Sequence, residues 1–97
     1  MGIEEEYMAF LEQDAYLFHL ARDKVMMDII LKISNEGGKS AHQIAKEMNL
    51  DYTKVKKRLE DVHEKGFLEK TQAGPRQIYF LSFKLQKLVD LYNKLHA

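Results

Sequence analysis

Cysteine is missing from all 97 residues, and a single proline, Pro75, is present. Without a thiol there can be no disulfide, no thiolate metal site and no cysteine nucleophile; the redox compartment stays open. No apolar run approaches the roughly 20 residues a helix needs to cross a bilayer, so no membrane partner is expected. The acidic start Glu4-Glu5-Glu6 is unlike a signal peptide. Met1-Gly2 opens a myristoylation pattern that Glu6 breaks, since that position requires Ser or Thr. The expected location is therefore cytoplasmic. Linkers rich in Pro, Gly or Ser, internal repeats and low-complexity tracts are also absent, which leaves one domain over residues 1–97.

The residues of catalysis are present without the spacing of catalysis. His19, His42, His63 and His96 are scattered, with no pair at metal-ligand separation. Three adjacent acids near a terminus read as solvated charge. Gly37-Gly38-Lys39-Ser40 resembles the end of a phosphate-binding loop but lacks the first glycine and follows a helical pattern rather than a strand. No enzyme, metal or cofactor is expected.

An excess of either charge is missing too: 15 bases balance 15 acids. The distribution is uneven, however. Residues 1–23 carry six acids and Arg22, a balance of −5, and residues 24–97 carry fourteen bases and nine acids, +5. Between 39 and 58 stand Lys39, Lys46, Lys54, Lys56, Lys57 and Arg58 against Glu47 and Asp51. A basic stretch of this kind suits a phosphate backbone even where the whole chain is neutral.

Apolar periodicity predicts a first helix from Ile3 to about Leu20, carrying Tyr7, Phe10, Leu11 and Phe18. A second has Val25, Met26, Ile29, Ile30 and Ile33 as its core face and ends at Gly37-Gly38. Ser40 and Gln43 form a capping box for a short helix whose buried stripe is Ile44, Ala45 and Met48. Leu50 pins a tight joint, and Asp51 can cap a further helix from Tyr52 to Lys65. In that helix Val55, Leu59 and Val62 face inward, leaving Thr53, Lys57, Glu60 and Glu64 on the opposite side. Its exposed face is basic first and acidic later, the reverse of what the helix dipole favours, and that inversion suits a helix whose first turns enter a major groove. Residues 40–65 thus read as a helix-turn-helix.

Residues 67–82 read as a two-stranded wing, with strands Phe67–Thr71 and Gln77–Leu81 around the Gly74-Pro75 turn. Lys70 and Arg76 flank that turn, placed to meet phosphates or to reach into a minor groove. In the last segment, Phe83–Ala97, Leu81, Leu85, Leu88, Tyr92 and Leu95 step by four and three. A helix with so broad an apolar surface needs two partners. The terminal segments, 1–21 and 83–97, are expected to form a homodimer interface through Tyr7, Phe10, Leu11, Phe18, Leu85, Leu88, Tyr92 and Leu95; packing within one chain is the rival reading. The predicted fold is mainly α with a small β-wing, in the order α-α-α-α-β-β-α.

This chain resembles winged helix-turn-helix regulators of the ArsR and MarR type, including small ones from archaea and their viruses. The resemblance rests on Ile44-Ala45-Lys46-Glu47-Met48 with Leu50 at the joint and Val55-Lys56-Lys57-Arg58-Leu59 in the second helix. Lys65-Gly66-Phe67-Leu68 and Tyr79-Phe80-Leu81-Ser82 match at the wing. The resemblance implies a homodimer on double-stranded DNA, with Ser40, Thr53, Lys54, Lys56, Lys57 and Arg58 as contacts and Arg76 as the wing contact. The chain departs from ArsR-type metal sensors in lacking their cysteines. It departs from MarR-type proteins in leaving little length to frame a ligand pocket, so no small-molecule effector is expected. From the residues themselves, Lys39, Lys54, Lys56 and Arg58 would hold the backbone while Tyr52, Thr53 and Lys57 read base edges. The function expected is a dimeric, sequence-specific transcriptional regulator, most simply a repressor. The alternatives are a winged-helix protein-interaction module, or a non-specific architectural DNA-binding protein, although the latter are usually strongly basic.

Overall fold

A computed structural model describes residues 2–97. Six helices and three short strands follow in the order α1 (Ile3–Leu11), α2 (Ala15–Arg22), α3 (Lys24–Glu36), β1 (Lys39–Ser40), α4 (Ala41–Met48), α5 (Tyr52–Glu64), β2 (Leu68–Ala73), β3 (Arg76–Leu81) and α6 (Phe83–Leu95). The fold is mainly helical, with an antiparallel sheet in the order β1-β3-β2.

Two elements differ from the sequence expectation. The single first helix is two, because Asp14 takes an extended conformation and accepts from the Tyr16 amide at 2.8 Å, starting α2 afresh. Apolar spacing runs on through the break, since Phe10 and Leu11 stand seven residues before Leu17 and Phe18, so periodicity alone does not show it. The second difference is β1, whose Lys39 and Ser40 pair with Tyr79 and Ile78 of β3. Two residues are too few to carry an alternation signal.

Elsewhere local chemistry acts as the residues suggest. Gly37 ends α3 in the left-handed conformation at φ 69°. Ser40 accepts from the Gln43 amide at 3.1 Å while the Gln43 side chain accepts from the Ser40 amide at 2.9 Å, completing the capping box. Asp51 caps α5 by accepting from the Lys54 amide at 3.0 Å. The wing turn is tighter than expected: β2 and β3 extend to an Ala73–Arg76 pair, leaving Gly74 and Pro75 alone in the loop.

The core is continuous from α1 to α6. Val55, Leu59 and Val62 of α5 are buried in one cluster with Ile44 of α4 and with Met26, Ile29, Ile30 and Ile33 of α3. At about 1.5–3 kcal/mol for each such side chain removed from water, this burial fixes α5 against α4 and the shared core. α1 packs chiefly on α6. Phe10 and Leu11 are buried there, and Leu85 and Leu88 are completely buried within the single chain. That corrects the expected dimer seam, because these four side chains have no appreciable surface left for a second copy. Tyr7 is 9% exposed, its ring 6.5 Å from that of Tyr92. Phe18, Tyr92 and Leu95 are only partly covered.

Candidate nucleic-acid interface

The first two turns of α5 project from the body. Tyr52, Thr53, Lys54, Lys57 and Arg58 are exposed along them, while Lys56 is half-buried on the side toward the wing. The helix stands as a ridge between two depressions. On the wing side, a cleft of about 260 Å³ lies between His42, Tyr52 and Lys56 and the wing residues Gln72, Arg76 and Gln77. On the other side, a cleft of about 710 Å³ separates α5 from Tyr16, His19 and Asp23, with Lys54, Lys57, Arg58 and Lys65 on its rim. A convex basic helix with flanking space is the shape that a major groove about 12 Å wide accepts.

Arg76 is exposed at the wing turn and lines a further cleft beside His42, Gln43 and Lys46. The wing therefore leans over α4, bringing Arg76 to the same face as Lys46 and the start of α5. The rings of His42 and Tyr52 stack at 4.1 Å with planes 18° apart, closing the corner between α4 and α5. His42 and Lys46 were not among the contacts expected from sequence: they stand ten and six residues before α5, and only the turn at Leu50 folds them back beside it.

Several expected contacts are already engaged within the chain. Lys39, 8% exposed, reaches Glu47 at 2.8 Å and Glu36 at 2.8 Å, and Lys32 joins the same pair of carboxylates. Hydrogen bonds from Lys39 and Lys32 hold Glu36 and Glu47 below their ordinary pKa, and the two lysines are correspondingly raised. Ser40 is 2% exposed and occupied as a cap. Neither has surface to offer a phosphate, which corrects their assignment. Arg58 pairs with Asp23, whose carboxylate also accepts from the Met26 amide at 3.1 Å. Burial pushes the Asp23 carboxyl up, but the Met26 amide and the guanidinium outweigh it and hold the group below its ordinary pKa. Lys70 reaches Glu60 at 2.9 Å, and Lys56 donates to Gln77 at 3.0 Å. Among the described residues, Lys46, Lys54, Lys57 and Arg76 stand in no ion pair within 4 Å of a carboxylate. They are the cations left for an external anion on this face.

The family model described as winged helix-turn-helix matches residues 21–97, from the end of α2 through α6. The chain belongs to the winged helix-turn-helix family. No curated protein matches its sequence significantly. Among solved structures, the homodimeric winged helix-turn-helix DNA-binding domain from Mycobacterium bovis, a possible ArsR-family regulator, is similar with a TM-score of 0.74 at 20% identity, over 92% of this chain and 82% of that one. The AntR antimony-specific transcriptional repressor is similar with a TM-score of 0.73 at 15% identity, over 84% and 74%. MarR follows at 0.68 and 22%, over 97% and 69%. At these identities the likeness is one of fold. In winged-helix terms α5 occupies the recognition-helix position and β2–β3 is the wing.

Among the described residues, no group of three His, Cys, Asp or Glu is arranged to hold a metal ion. No described helix is long and apolar enough to cross a membrane.

Proposed function

We propose that this winged helix-turn-helix protein is a sequence-specific, double-stranded DNA-binding transcriptional regulator, acting as a homodimer and most simply as a repressor that occludes a promoter. The observation that carries this reading is the ridge of α5: Tyr52, Thr53, Lys54 and Lys57 exposed without internal partners for the two lysines, with Arg76 on the same face. Tyr52, Thr53 and Lys57 would meet base edges, and Lys54, Arg58 and Arg76 the backbone. Lys56 and Lys70 support the wing and contribute at its edge.

The dimer would use surface that the chain leaves open. Met8 is 42% exposed on α1, and Phe18, Tyr92 and Leu95 are partly covered. That one fold relative is described as homodimeric supports this assignment.

The test is fluorescence anisotropy on a randomised duplex pool at low and near-physiological salt, with sequencing of the bound fraction. Binding should weaken steeply with salt as counterions are released, and Lys57→Ala should cost roughly 1–3 kcal/mol on the selected site. A protein that binds no duplex even at low salt would end the regulator reading and leave the interaction-module alternative. Equal binding to all sequences would leave the architectural one.

A further inference from the structure

Glu60 lies on α5 one turn after Lys56, which faces the wing, and its carboxylate gathers three groups. Lys70 of β2 donates to both oxygens, at 2.9 and 3.0 Å, and the Tyr79 hydroxyl of β3 donates to one of them. Lys56 approaches the same carboxylate at 4.0 Å. Lys70 and Tyr79 are directly opposite each other in the β2–β3 ladder, so a single cross-strand pair is gripped by one helix residue. Lys56, one helical turn earlier, donates to Gln77 at 3.0 Å and stands 5.6 Å over the Tyr79 ring.

The spacing makes both grips possible together. Lys56 and Glu60 are four residues apart on a helix, a rise of about 6 Å, and Gln77 and Tyr79 are two apart on a strand, about 6.6 Å. The helix and the strand thus present matched partners in register. The Tyr79 ring is fully buried, so the hydroxyl cannot swing elsewhere without moving the strand. Hydrogen bonds from Tyr79 and Lys70 hold the Glu60 carboxyl below its ordinary pKa, keeping it charged near neutrality.

We propose that Glu60 is a positioning residue: its carboxylate on the recognition helix fixes the angle of the wing and thereby places Arg76 against DNA. The proposal rests on the DNA-binding reading for its consequence but not for the latch itself. A carboxylate facing a basic surface would ordinarily oppose a polyanion, yet here it gathers Lys70 and Lys56 and orients the strand that carries Arg76.

Two variants open the latch by different means. Tyr79→Phe removes one donor without changing charge, and Glu60→Gln removes the anion. Because the chain has no cysteine, nitroxide labels at Glu64→Cys and Ala73→Cys report the distance from α5 to the wing turn cleanly. Both latch variants should broaden that distance distribution. An unchanged width in both would overturn the latch. On DNA, Arg76→Ala should weaken binding by roughly five- to tenfold in the parent protein, but by less than about twofold in the Tyr79→Phe background, because an unpositioned wing has little contact to lose. Equal losses in the two backgrounds would overturn the positioning role, since a merely stabilising residue leaves the two effects multiplicative. Failure of the parent protein to bind any duplex would sink the regulator reading and with it the placement of Arg76 on DNA, while the label distances would still decide whether Glu60 holds the wing.

Discussion

Replacing Asp23 by asparagine would separate two tasks that one carboxylate performs. Asp23 caps α3 through the Met26 amide and holds the Arg58 guanidinium of α5. Asparagine caps a helix about as well as aspartate, so α3 should survive, but a neutral amide no longer retains the guanidinium. The Arg58 side chain is 50% exposed, which limits the pair to about 0.2–1 kcal/mol of folding stability. A phosphate that recruits Arg58 has to break the same pair. Its removal in advance should therefore tighten DNA binding by about 1.4- to 5-fold, the same energy expressed as an affinity ratio. Anisotropy at low salt is the appropriate assay, because an exposed pair is least screened there. The gain should vanish when Arg58→Ala is combined with Asp23→Asn. A gain of equal size in the Arg58→Ala background would mean that the lost negative charge alone is responsible. No gain at all would mean that Arg58 keeps Asp23 on DNA, and either outcome refutes the reasoning.

Three further outcomes are expected. Gly38→Ala should destabilise the protein by about 2–4 kcal/mol, because Gly38 has φ 114° and an added Cβ would lie 2.4 Å from the Phe80 ring; Gly37→Ala, at φ 69° with nothing within 4 Å, should cost about 1–2 kcal/mol, and indistinguishable urea midpoints would contradict this. Asp23, Glu36, Glu47 and Glu60 all have carboxyls below their ordinary pKa. The unfolded chain therefore takes up protons first as pH falls, so their stabilisation is complete above about pH 5 and is lost on acidification through the folded pKa values; flat urea stability from pH 6 to pH 3 would refute it. Leu88→Ala should cost about 2–5 kcal/mol in a side chain with no exposed surface and leave the mass by light scattering unchanged; near-native stability with half the native mass would return Leu88 to an intermolecular seam.

Legibility in the sequence followed how local each determinant is. Ser40 with Gln43, Asp51, and Gly37 act on amides within a few residues, so their caps could be read directly and agree with the structure. The inward face of α5 was equally plain from Val55, Leu59 and Val62. The partner of an apolar face is not local. The stepping of Leu85 and Leu88 shows that something covers them, but not that α1 of the same chain does so. Cations posed the same difficulty: Lys39, Lys57 and Lys70 look alike in sequence, and only the fold shows that two meet carboxylates eight and ten residues away while the third does not. Glu60, read as a solvent-facing acid, gains its partners only when β2 and β3 fold across α5.

The packing of α1 on α6 joins the segments farthest apart along the chain. During synthesis Tyr7, Phe10 and Leu11 emerge early, yet the helix that covers them, Phe83–Leu95, is made some seventy residues later. At roughly 5–20 residues per second, that apolar face stays without its partner for several seconds, while the α4–α5 centre can form from contacts much closer in sequence. The order of assembly is thus from the middle outward, and the contact made last is the one that closes the chain on itself.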